Sequence, residues 1–304
     1  MAPRARLAVT LGDPRGIGPE VVRKALADPR VQAAVEATVV GPDGTEQPAD
    51  LVVGAWMRSG TPADAGRLAG LAIRRAVRLA QSGAVHGIVT APIDKAALAA
   101  GGFDFPGHTE MLAELTQSDT AMMLASDRLR VVLATTHIAL RDVPAAVTPA
   151  AIARAATLTR DGLRGWFGIA EPRIALCGLN PHLGDSRRFG TEDEDVLAPA
   201  AHATGIAGPF SADTVFVRAM RGEFDAVIAP YHDVGMTAIK VASFGSAVNV
   251  TLGLPFPRTS PDHGTAIDIA GQGVARADSM VEALLACAGI VSRTAPQDVG
   301  APPA

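Results

Sequence analysis

Residues 7–20 read LAVTLGDPRGIGPE, an apolar run followed by a glycine- and proline-rich turn and the start of a helix. Leu7–Thr10 has the composition of a buried strand, and Pro19 suits the first turn of the helix that follows. Gly16 and Gly18 permit a close backbone approach, and a helix N-terminus offers unpaired N–H groups to an anion. The turn therefore either only connects strand to helix or also contacts a ligand.

Strand-like and helix-like segments alternate along the rest of the chain. Short apolar, β-branched runs are separated by longer stretches in which apolar residues recur at helical spacing. This alternation predicts an α/β fold with a largely parallel sheet. We predict further strands at 36–41, 87–90, 121–124, 130–135, 173–177, 224–229 and 247–251, and helices at 19–27, 63–81, 149–163, 192–201 and 279–288. Residues 41–61 are predicted to form a surface excursion, and residues 294–304 a loose tail.

The composition limits the classes of protein that fit. The chain has 304 residues, enough for about two lobes, and hydrophobic residues make up 48% of it, enough for a sizeable core. A formal net charge of −4 gives no sign of a nucleic-acid partner. The two cysteines, Cys177 and Cys287, lie too far apart for a CxxC site, and a reduced, cytoplasmic setting fits them best.

Membrane association is not expected from the sequence. The N-terminus has no long apolar segment of the signal-peptide type. No apolar stretch approaches the roughly 20 residues that span a bilayer. We therefore expect a cytoplasmic protein without a membrane partner.

Three of the seven histidines follow predicted strands directly. They are His137, His182 and His232. In open α/β sheets, ligands collect beyond the carboxyl ends of the strands, so three imidazoles delivered there could bind a divalent cation. Each histidine alone could equally cap its strand or bond a carbonyl. Composition and spacing leave both interpretations open.

Residues that suit an anionic ligand occur in two further stretches. Gly107 is followed by His108 and Thr109, a pair that can bond phosphate or carboxylate or can simply cap a helix. Lys240, Asn249 and Arg258 recur at nine-residue spacing and could converge on one anionic group. Each of these residues alone could also be an ordinary surface or turn residue.

The stretch 262–273, DHGTAIDIAGQG, resembles the adenine-side cofactor loop of isocitrate and isopropylmalate dehydrogenases. Those enzymes do not use the GxGxxG site, and that fingerprint is missing here. Nearly the whole chain more closely resembles the 4-hydroxythreonine-4-phosphate dehydrogenase family of vitamin B6 biosynthesis. The shared motifs occur in order at 12–20, 91–95, 107–110, 135–138, 178–182, 212–214, 231–233, 249–255 and 258–264.

The resemblance implies a fold and a set of site residues. It implies an isocitrate/isopropylmalate dehydrogenase-like fold whose two lobes, 1–125 plus 250–304 and 126–249, flank a cleft. It implies a homodimer whose subunits both contribute to the site. The implied metal ligands are His137, His182 and His232, the substrate contacts are His108, Thr109, Lys240, Asn249 and Arg258, and the cofactor contacts are His263, Gly264, Thr265 and Asp268.

The resemblance also implies a reaction. Family members oxidise the secondary hydroxyl of 4-phosphooxy-L-threonine with NAD, and the resulting β-keto acid loses CO₂ to leave 3-amino-2-oxopropyl phosphate. NADP is a possible substitute for NAD. Zn²⁺ or Co²⁺ would suit three histidines, whereas Mg²⁺ prefers oxygen ligands. Asp233, Lys240 and Asp213 are candidates for the base that takes the hydroxyl proton, and the sequence does not rank them.

Departures from the family pattern leave other functions open. Val234 stands where the family has glutamine, the run from Leu183 to Arg188 replaces a small, acidic, glycine-rich one, and the segment between Val40 and Pro62 is short. The alternative is a paralogue that oxidises phosphorylated threonate or erythronate. A phosphate acyltransferase would need neither the three histidines nor the 262–273 loop. A non-catalytic relative would be expected to have lost a metal histidine or Lys240.

Overall fold

One large sheet runs through the whole protein. The computed structural model describes residues 3–243 and 246–294, and in this part eleven strands pair in the order β3-β2-β1-β4-β11-β10-β5-β6-β9-β7-β8. The strands are β1 Ala5–Thr10, β2 Val35–Asp43, β3 Leu51–Ala55, β4 Gly87–Thr90, β5 Ala121–Ala125, β6 Arg130–Leu133, β7 Ile174–Cys177, β8 Ala207–Phe210, β9 Ala226–Ala229, β10 Val248–Leu252 and β11 Arg258–Pro261.

Helices cover both faces of the sheet. They are α1 Gly18–Leu26, α2 Pro29–Ala34, α3 Pro62–Gln81, α4 Lys95–Ala100, α5 His108–Thr116, α6 Val143–Ala146, α7 Pro149–Gly165, α8 Ala198–Thr204, α9 Ala212–Met220, α10 His232–Ser243 and α11 Asp278–Thr294. Helix α3 packs on β1, β2 and β3, while α11 packs on β11, β4 and β10, and α7 on β5, β6 and β10.

The sheet consists of two parallel blocks that run in opposite directions. Strands β3, β2, β1, β4 and β11 are parallel to one another, and so are β6, β9, β7 and β8. Strands β10 and β5 join the blocks through antiparallel pairs. The carboxyl ends of β6, β9 and β7 therefore lie along one edge. The predicted boundaries between the lobes fall on β5 and β10, and the division into lobes stays a prediction.

Local sequence signals explain the longest helix of the first block. Thr61 and Asp64 form a reciprocal capping box at the start of α3, in which the Asp64 carboxylate accepts from the Thr61 N–H at 3.0 Å. The face of α3 that meets the sheet buries Leu68, Ala72 and Ile73. The sequence of 63–81 shows apolar residues at helical spacing behind a capping residue. The observed helix α3 confirms the prediction.

The α/β class is confirmed, and the differences are local. Residues 41–61 lie mostly at the surface, as predicted, but they contain the edge strand β3, which pairs with β2 and was not predicted. Strands β8 and β11 and helices α2, α4, α5, α6, α9 and α10 were not predicted. Most of the predicted tail, residues 295–304, lies outside the described residues.

Within the described ranges, no helix combines the length and the apolar character needed to cross a bilayer.

Gly66 allows α3 and α4 to touch. A Cβ at this position would lie 1.8 Å from the carbonyl oxygen of Ala97 in α4, so the two helices would have to separate. We expect Gly66→Ala to lower the free energy of unfolding by about 1–3 kcal/mol, measured by urea denaturation. Gly165→Ala is the matched control, because a Cβ there meets nothing within 4 Å at the end of α7. Equal stability of both variants and wild type would contradict the packing role of Gly66.

Candidate active site

A pocket of about 400 Å³ lies against the two strands that join the blocks. Successive side chains of a strand point to opposite faces of a sheet. Met122 and Leu124 of β5 and Asn249 of β10 share one face, and they form the floor of this space. The walls come from the starts of α5 and α10 and from the end of β11. We call this space the central pocket.

The central pocket collects all of the predicted substrate contacts. They are His108, Thr109, Lys240, Asn249 and Arg258. These residues are spread over 150 positions of sequence, from 108 to 258, and come from α5, α10, β10 and β11. The expectation that they converge on one anionic group therefore has a geometric basis.

Arg258 is a buried cation at the base of the pocket. Its residue is 2% exposed. One terminal nitrogen donates to Thr251 Oγ1 at 3.0 Å in β10, and the other donates to Thr90 Oγ1 at 2.6 Å in β4. Burial lowers the pKa of Arg258 to about 10, which still leaves the guanidinium charged at neutral pH.

Four buried polar atoms of the pocket residues have no hydrogen-bond partner among the described residues. They are His108 Nε2, Asn249 Oδ1, Arg258 Nε and His263 Nε2. Folded proteins rarely leave buried polar atoms unpaired, because each costs about 1–3 kcal/mol. Atoms that converge on a shared cavity in this way fit a ligand that supplies the missing partners.

Three charged residues of the pocket had not been assigned a role from sequence. They are Lys95, Glu110 and Asp262. Lys95 begins α4, and Asp262 lies 3.6 Å from the Lys240 amine. All three stand inside motifs of the family resemblance, so their position in those motifs was the available signal.

His137 and His232 are brought together at the edge of the pocket. Their rings have centroids 5.6 Å apart and follow β6 and β9, which are neighbours in the sheet. Asp233 Oδ1 accepts a hydrogen bond from His232 Nδ1 at 2.8 Å. A carboxylate on one ring nitrogen orients an imidazole and leaves the other nitrogen for a metal. The pair therefore fits two positions of a metal site.

His182 does not join this pair within the chain. It follows β7, the strand beside β9, but it is exposed and does not line the central pocket. Among the described residues, no group of three His, Cys, Asp or Glu side chains has a geometry suited to a metal ion. One chain thus supplies two of the three predicted ligands at the pocket.

The loop that carries His182 has an unusual backbone. Residues 182–187 all have positive φ angles, between 42° and 85°. Left-handed conformations are disfavoured for residues other than glycine, so other contacts must hold the loop. Arg187 makes two hydrogen bonds to the Asp195 carboxylate, at 2.9 and 2.8 Å, and lies 3.1 Å from Glu194. The two cations that depart from the family pattern, Arg187 and Arg188, lie outside the central pocket.

Two of the three candidate bases, Asp213 and Asp233, lie outside the lining of the central pocket. Asp213 is exposed in the first turn of α9, and Asp233 and Val234 line a separate surface cavity beside Tyr231. Neither aspartate lines the central pocket of its own chain. Of the three candidate bases, Lys240 alone does.

The predicted cofactor loop packs against the glycine-rich turn after β1. Ile17 N donates to the Thr265 carbonyl at 2.9 Å, and a Cβ on Gly16 would lie 2.6 Å from that oxygen. The buried Glu20 accepts from Ala275 N at 3.0 Å, which fixes the far end of the loop. Close contact between backbones explains the glycine at position 16.

The cofactor loop connects two cavities. His263 and Gly264 line the central pocket, and Ala270 and Gly271 line a second cavity of about 430 Å³ beside Arg15. The side chains of Thr265 and Asp268 line neither cavity.

The fold and the site define the class of the protein, an α/β enzyme whose cation-lined pocket lies where two blocks of one sheet meet. The chain belongs to the family of the pyridoxal phosphate biosynthetic protein PdxA, whose family model matches residues 19–287. A Synechococcus protein named 4-hydroxythreonine-4-phosphate dehydrogenase is 42% identical, over 96% of this chain and 98% of its own. A Bradyrhizobium diazoefficiens protein named putative D-threonate 4-phosphate dehydrogenase is 40% identical, over 91% and 94%.

Solved structures agree with this assignment. The crystal structure of 4-hydroxythreonine-4-phosphate dehydrogenase from Klebsiella pneumoniae superposes with a TM-score of 0.83 at 38% identity, covering 94% of this chain and 99% of that one. A branched-chain phosphotransacylase from Enterococcus faecalis has a TM-score of 0.59 at 15% identity, over 94% and 99% of the two chains. The second likeness concerns the fold alone, so the site has to distinguish the two classes.

His108 should make stability depend on pH. Burial lowers its pKa well below the ordinary value of 6.5, and the charges of Arg258 and Lys95 lower it further. Below about pH 6.5 the unfolded chain binds a proton at His108 that the folded protein does not, so stability falls as pH falls. We compare how steeply the free energy of unfolding rises between pH 5 and 7 in His108→Gln and in wild type. The slope should be smaller in His108→Gln, by up to about 1.4 kcal/mol per pH unit.

Urea denaturation of the ligand-free protein at several pH values measures this dependence. The exposed His202 of α8 provides the control, as His202→Gln. A pH dependence in His108→Gln as steep as in wild type would show that His108 does not stay neutral in the folded protein.

Proposed function

We propose that the chain oxidises 4-phosphooxy-L-threonine with NAD, after which the β-keto acid loses CO₂ to leave 3-amino-2-oxopropyl phosphate. The observation that carries this proposal is the central pocket, which is lined by the cations Arg258 and Lys95 and by buried polar atoms that have no partner among the described residues. A substrate with a phosphate and a carboxylate would complement this charge. The names of the Synechococcus and Klebsiella relatives support the same substrate.

Substrate binding is proposed to rest on the start of α5 and on Arg258. His108 is the first residue of a nine-residue helix, and its neutral ring has an unpaired Nε2 that can donate to an anionic oxygen. The N–H groups of the first turn and the Thr109 hydroxyl add donors. Asn249 lines the same pocket and would orient the carboxylate end.

A divalent metal is proposed to bind His137 and His232. When bound, such an ion stabilises negative charge on the oxygen of the reacting carbon and polarises the ketone. The third predicted ligand, His182, is exposed on a loop held by Arg187. We propose that the site lies at a homodimer interface and that His182 of the second copy completes it.

Lys240 is proposed to take the proton of the substrate hydroxyl, a step that requires the neutral amine. It lines the pocket, with the Asp262 carboxylate 3.6 Å away as a polar partner. Asp233 is engaged by His232 Nδ1 and so is suited to orient that ring. Asp213 lies outside the pocket of its own chain.

The nicotinamide cofactor is proposed to lie along the loop from His263 to Gly271. This loop lines the central pocket at one end and the second cavity at the other, which suits an extended dinucleotide. His263, whose Nε2 has no partner among the described residues, lines the central pocket, where hydride transfer would occur.

The assay that tests the function measures reduced NAD formed from 4-phosphooxy-L-threonine in the presence of a divalent metal. D-threonate 4-phosphate, which the name of the Bradyrhizobium relative suggests as a second candidate, is the comparison substrate. We expect the higher kcat/KM with 4-phosphooxy-L-threonine. Turnover of D-threonate 4-phosphate alone would replace the proposed substrate, and turnover of neither would refute the dehydrogenase proposal.

Arg258→Lys should weaken substrate binding. Lysine keeps the charge but cannot bond Thr90, Thr251 and the substrate from one planar group. The loss of a charge-assisted hydrogen bond is worth about 1.5–3 kcal/mol, so we expect kcat/KM to fall about 10- to 150-fold, mainly through KM. The exposed Arg276→Gln serves as the control. An unchanged KM in Arg258→Lys would exclude the anion-binding role.

Two inactive variants should restore activity when their subunits mix. His137→Ala and His182→Ala each remove a proposed ligand, so neither homodimer should turn over. In a mixed dimer, one site would carry both substitutions and the other site none. At equal amounts, half of the dimers are mixed and half of their sites are intact, so we expect about a quarter of the wild-type activity after coexpression.

The pairing of variants tests which chain supplies which ligand. His137→Ala mixed with His232→Ala should stay inactive, because these two residues act in the same site. Inactivity of the His137→Ala and His182→Ala mixture, with mixed dimers demonstrated by two affinity tags, would refute a shared site.

A further inference from the structure

A cavity of about 450 Å³ lies directly behind the central pocket. Val248 and Val250 of β10 line it, whereas Asn249 between them lines the central pocket. On β5, likewise, Ala125 faces this cavity and Leu124 the central pocket. Because side chains alternate along a strand, the two spaces lie on opposite faces of the same two strands. We call the space behind, between β5, β10 and α11, the back cavity.

The back cavity has an apolar base and a cationic side. Leu285 and Ile290 of α11 extend the surface formed by the two valines. Arg130 of β6 and Arg293 of α11 supply the charge, and the Ser126 hydroxyl lies in the same wall. Such a lining suits a small organic molecule with one anionic end.

The two arginines flank one aromatic ring. The Cζ of Arg130 lies 4.9 Å from the centroid of Phe167, and that of Arg293 lies 5.8 Å from it. Arg130 donates through one terminal nitrogen to the Asp225 carbonyl at 3.2 Å, and its Nε is buried without a partner. Arg293 donates through Nε to the Trp166 carbonyl at 2.9 Å, so its terminal nitrogens are not used in that bond.

Two carboxylates also line the cavity, and among the described residues neither forms an ion pair with Arg130 or Arg293. Glu282 is already paired with Arg30, at 3.2 Å. Asp127 is exposed in the turn between β5 and β6. Burial lowers the pKa of Arg130; of the nearby charges, Asp225 raises this pKa, Arg293 lowers it and Asp127 raises it. Both cations thus line the same cavity beside Phe167, and Arg130 Nε has no partner among the described residues.

We propose that the back cavity is a second binding site, which takes a small anion with a phosphate or carboxylate group between Arg130 and Arg293 and an apolar part against β10. The site is separate from the proposed substrate site and does not depend on the proposed reaction. Its occupant contacts α11 of the first block and Arg130 of the second. Binding would therefore fix the two blocks relative to each other behind Asn249.

Trp166 provides a local probe for this site. It precedes Phe167, and its carbonyl accepts the Arg293 bond. The chain has two tryptophans, so Trp56→Phe leaves Trp166 as the single tryptophan. We would titrate this variant with inorganic phosphate and, separately, with acetate, and follow Trp166 fluorescence at constant ionic strength set by sodium chloride. A saturable change with either anion is expected, and the lower midpoint identifies the preferred group.

Second substitutions in the same background assign the response to the back cavity. Arg293→Gln removes an exposed cation without emptying the core, and it should raise the midpoint about tenfold or more. Arg75→Gln on the exposed face of α3 should leave the midpoint unchanged. Arg258→Lys should raise the midpoint less than Arg293→Gln does, because Arg258 lines the central pocket and not the back cavity. Thermal unfolding of each variant verifies that it is folded.

Two results would overturn the proposal. The first is the absence of any saturable response to phosphate and acetate beyond the chloride control. The second is a midpoint that Arg258→Lys raises and Arg293→Gln does not, which would assign the response to the central pocket. Both outcomes leave the dehydrogenase proposal intact, because turnover is measured separately.

Discussion

The buried guanidinium of Arg258 is the interaction on which fold and site both depend. A buried cation is costly unless hydrogen bonds replace its water. The hydroxyls of Thr90 and Thr251 do so, and they belong to β4 and β10, one strand parallel and one antiparallel to β11. Arg258 therefore ties together the strands at which the sheet changes direction. Its Nε is buried without a partner among the described residues, and Arg258 lines the central pocket, so the charge that secures the sheet is also placed to attract the ligand.

Much of the fold was predictable because its buried strands are short apolar runs and its longer helices carry caps and apolar stripes. What was missed lies close to the site. Strand β11 has the polar sequence RTSP, and α5 and α10 start with His108 and His232. These elements carry polar side chains of the pocket at positions where a predicted strand or helix would show apolar residues. The periodic hydrophobic pattern from which secondary structure is predicted is therefore missing. The change of direction at β10 and β5 depends on contacts between distant segments, and no local pattern encodes it.

The sequence predicts the anion-binding residues of the site more fully than it predicts the arrangement of the histidines. The residues predicted to contact an anionic substrate line one pocket of a single chain. Helices α5 and α10 and strands β10 and β11 bring them together there. The histidines follow neighbouring strands as expected, yet His182 sits on a left-handed loop beyond the pocket. Spacing along the sequence cannot show whether a ligand acts in its own subunit or in another. The departures at Val234 and Arg187 similarly turn out to lie away from the central pocket.

Strands β3 and β8 close the sheet at its two ends, and each pairs on one side only. Shortening the chain next to such a strand removes few hydrogen bonds and leaves the strands around Arg258 untouched. The segment before α3, which is expected from the sequence to be shorter than the family pattern, contains β3. Evolution can therefore trim or extend this protein at its margins, while an insertion in β10 would shift every side chain of that strand to the opposite face. Length variation among relatives should accordingly be concentrated at the ends of the sheet, with the middle constant.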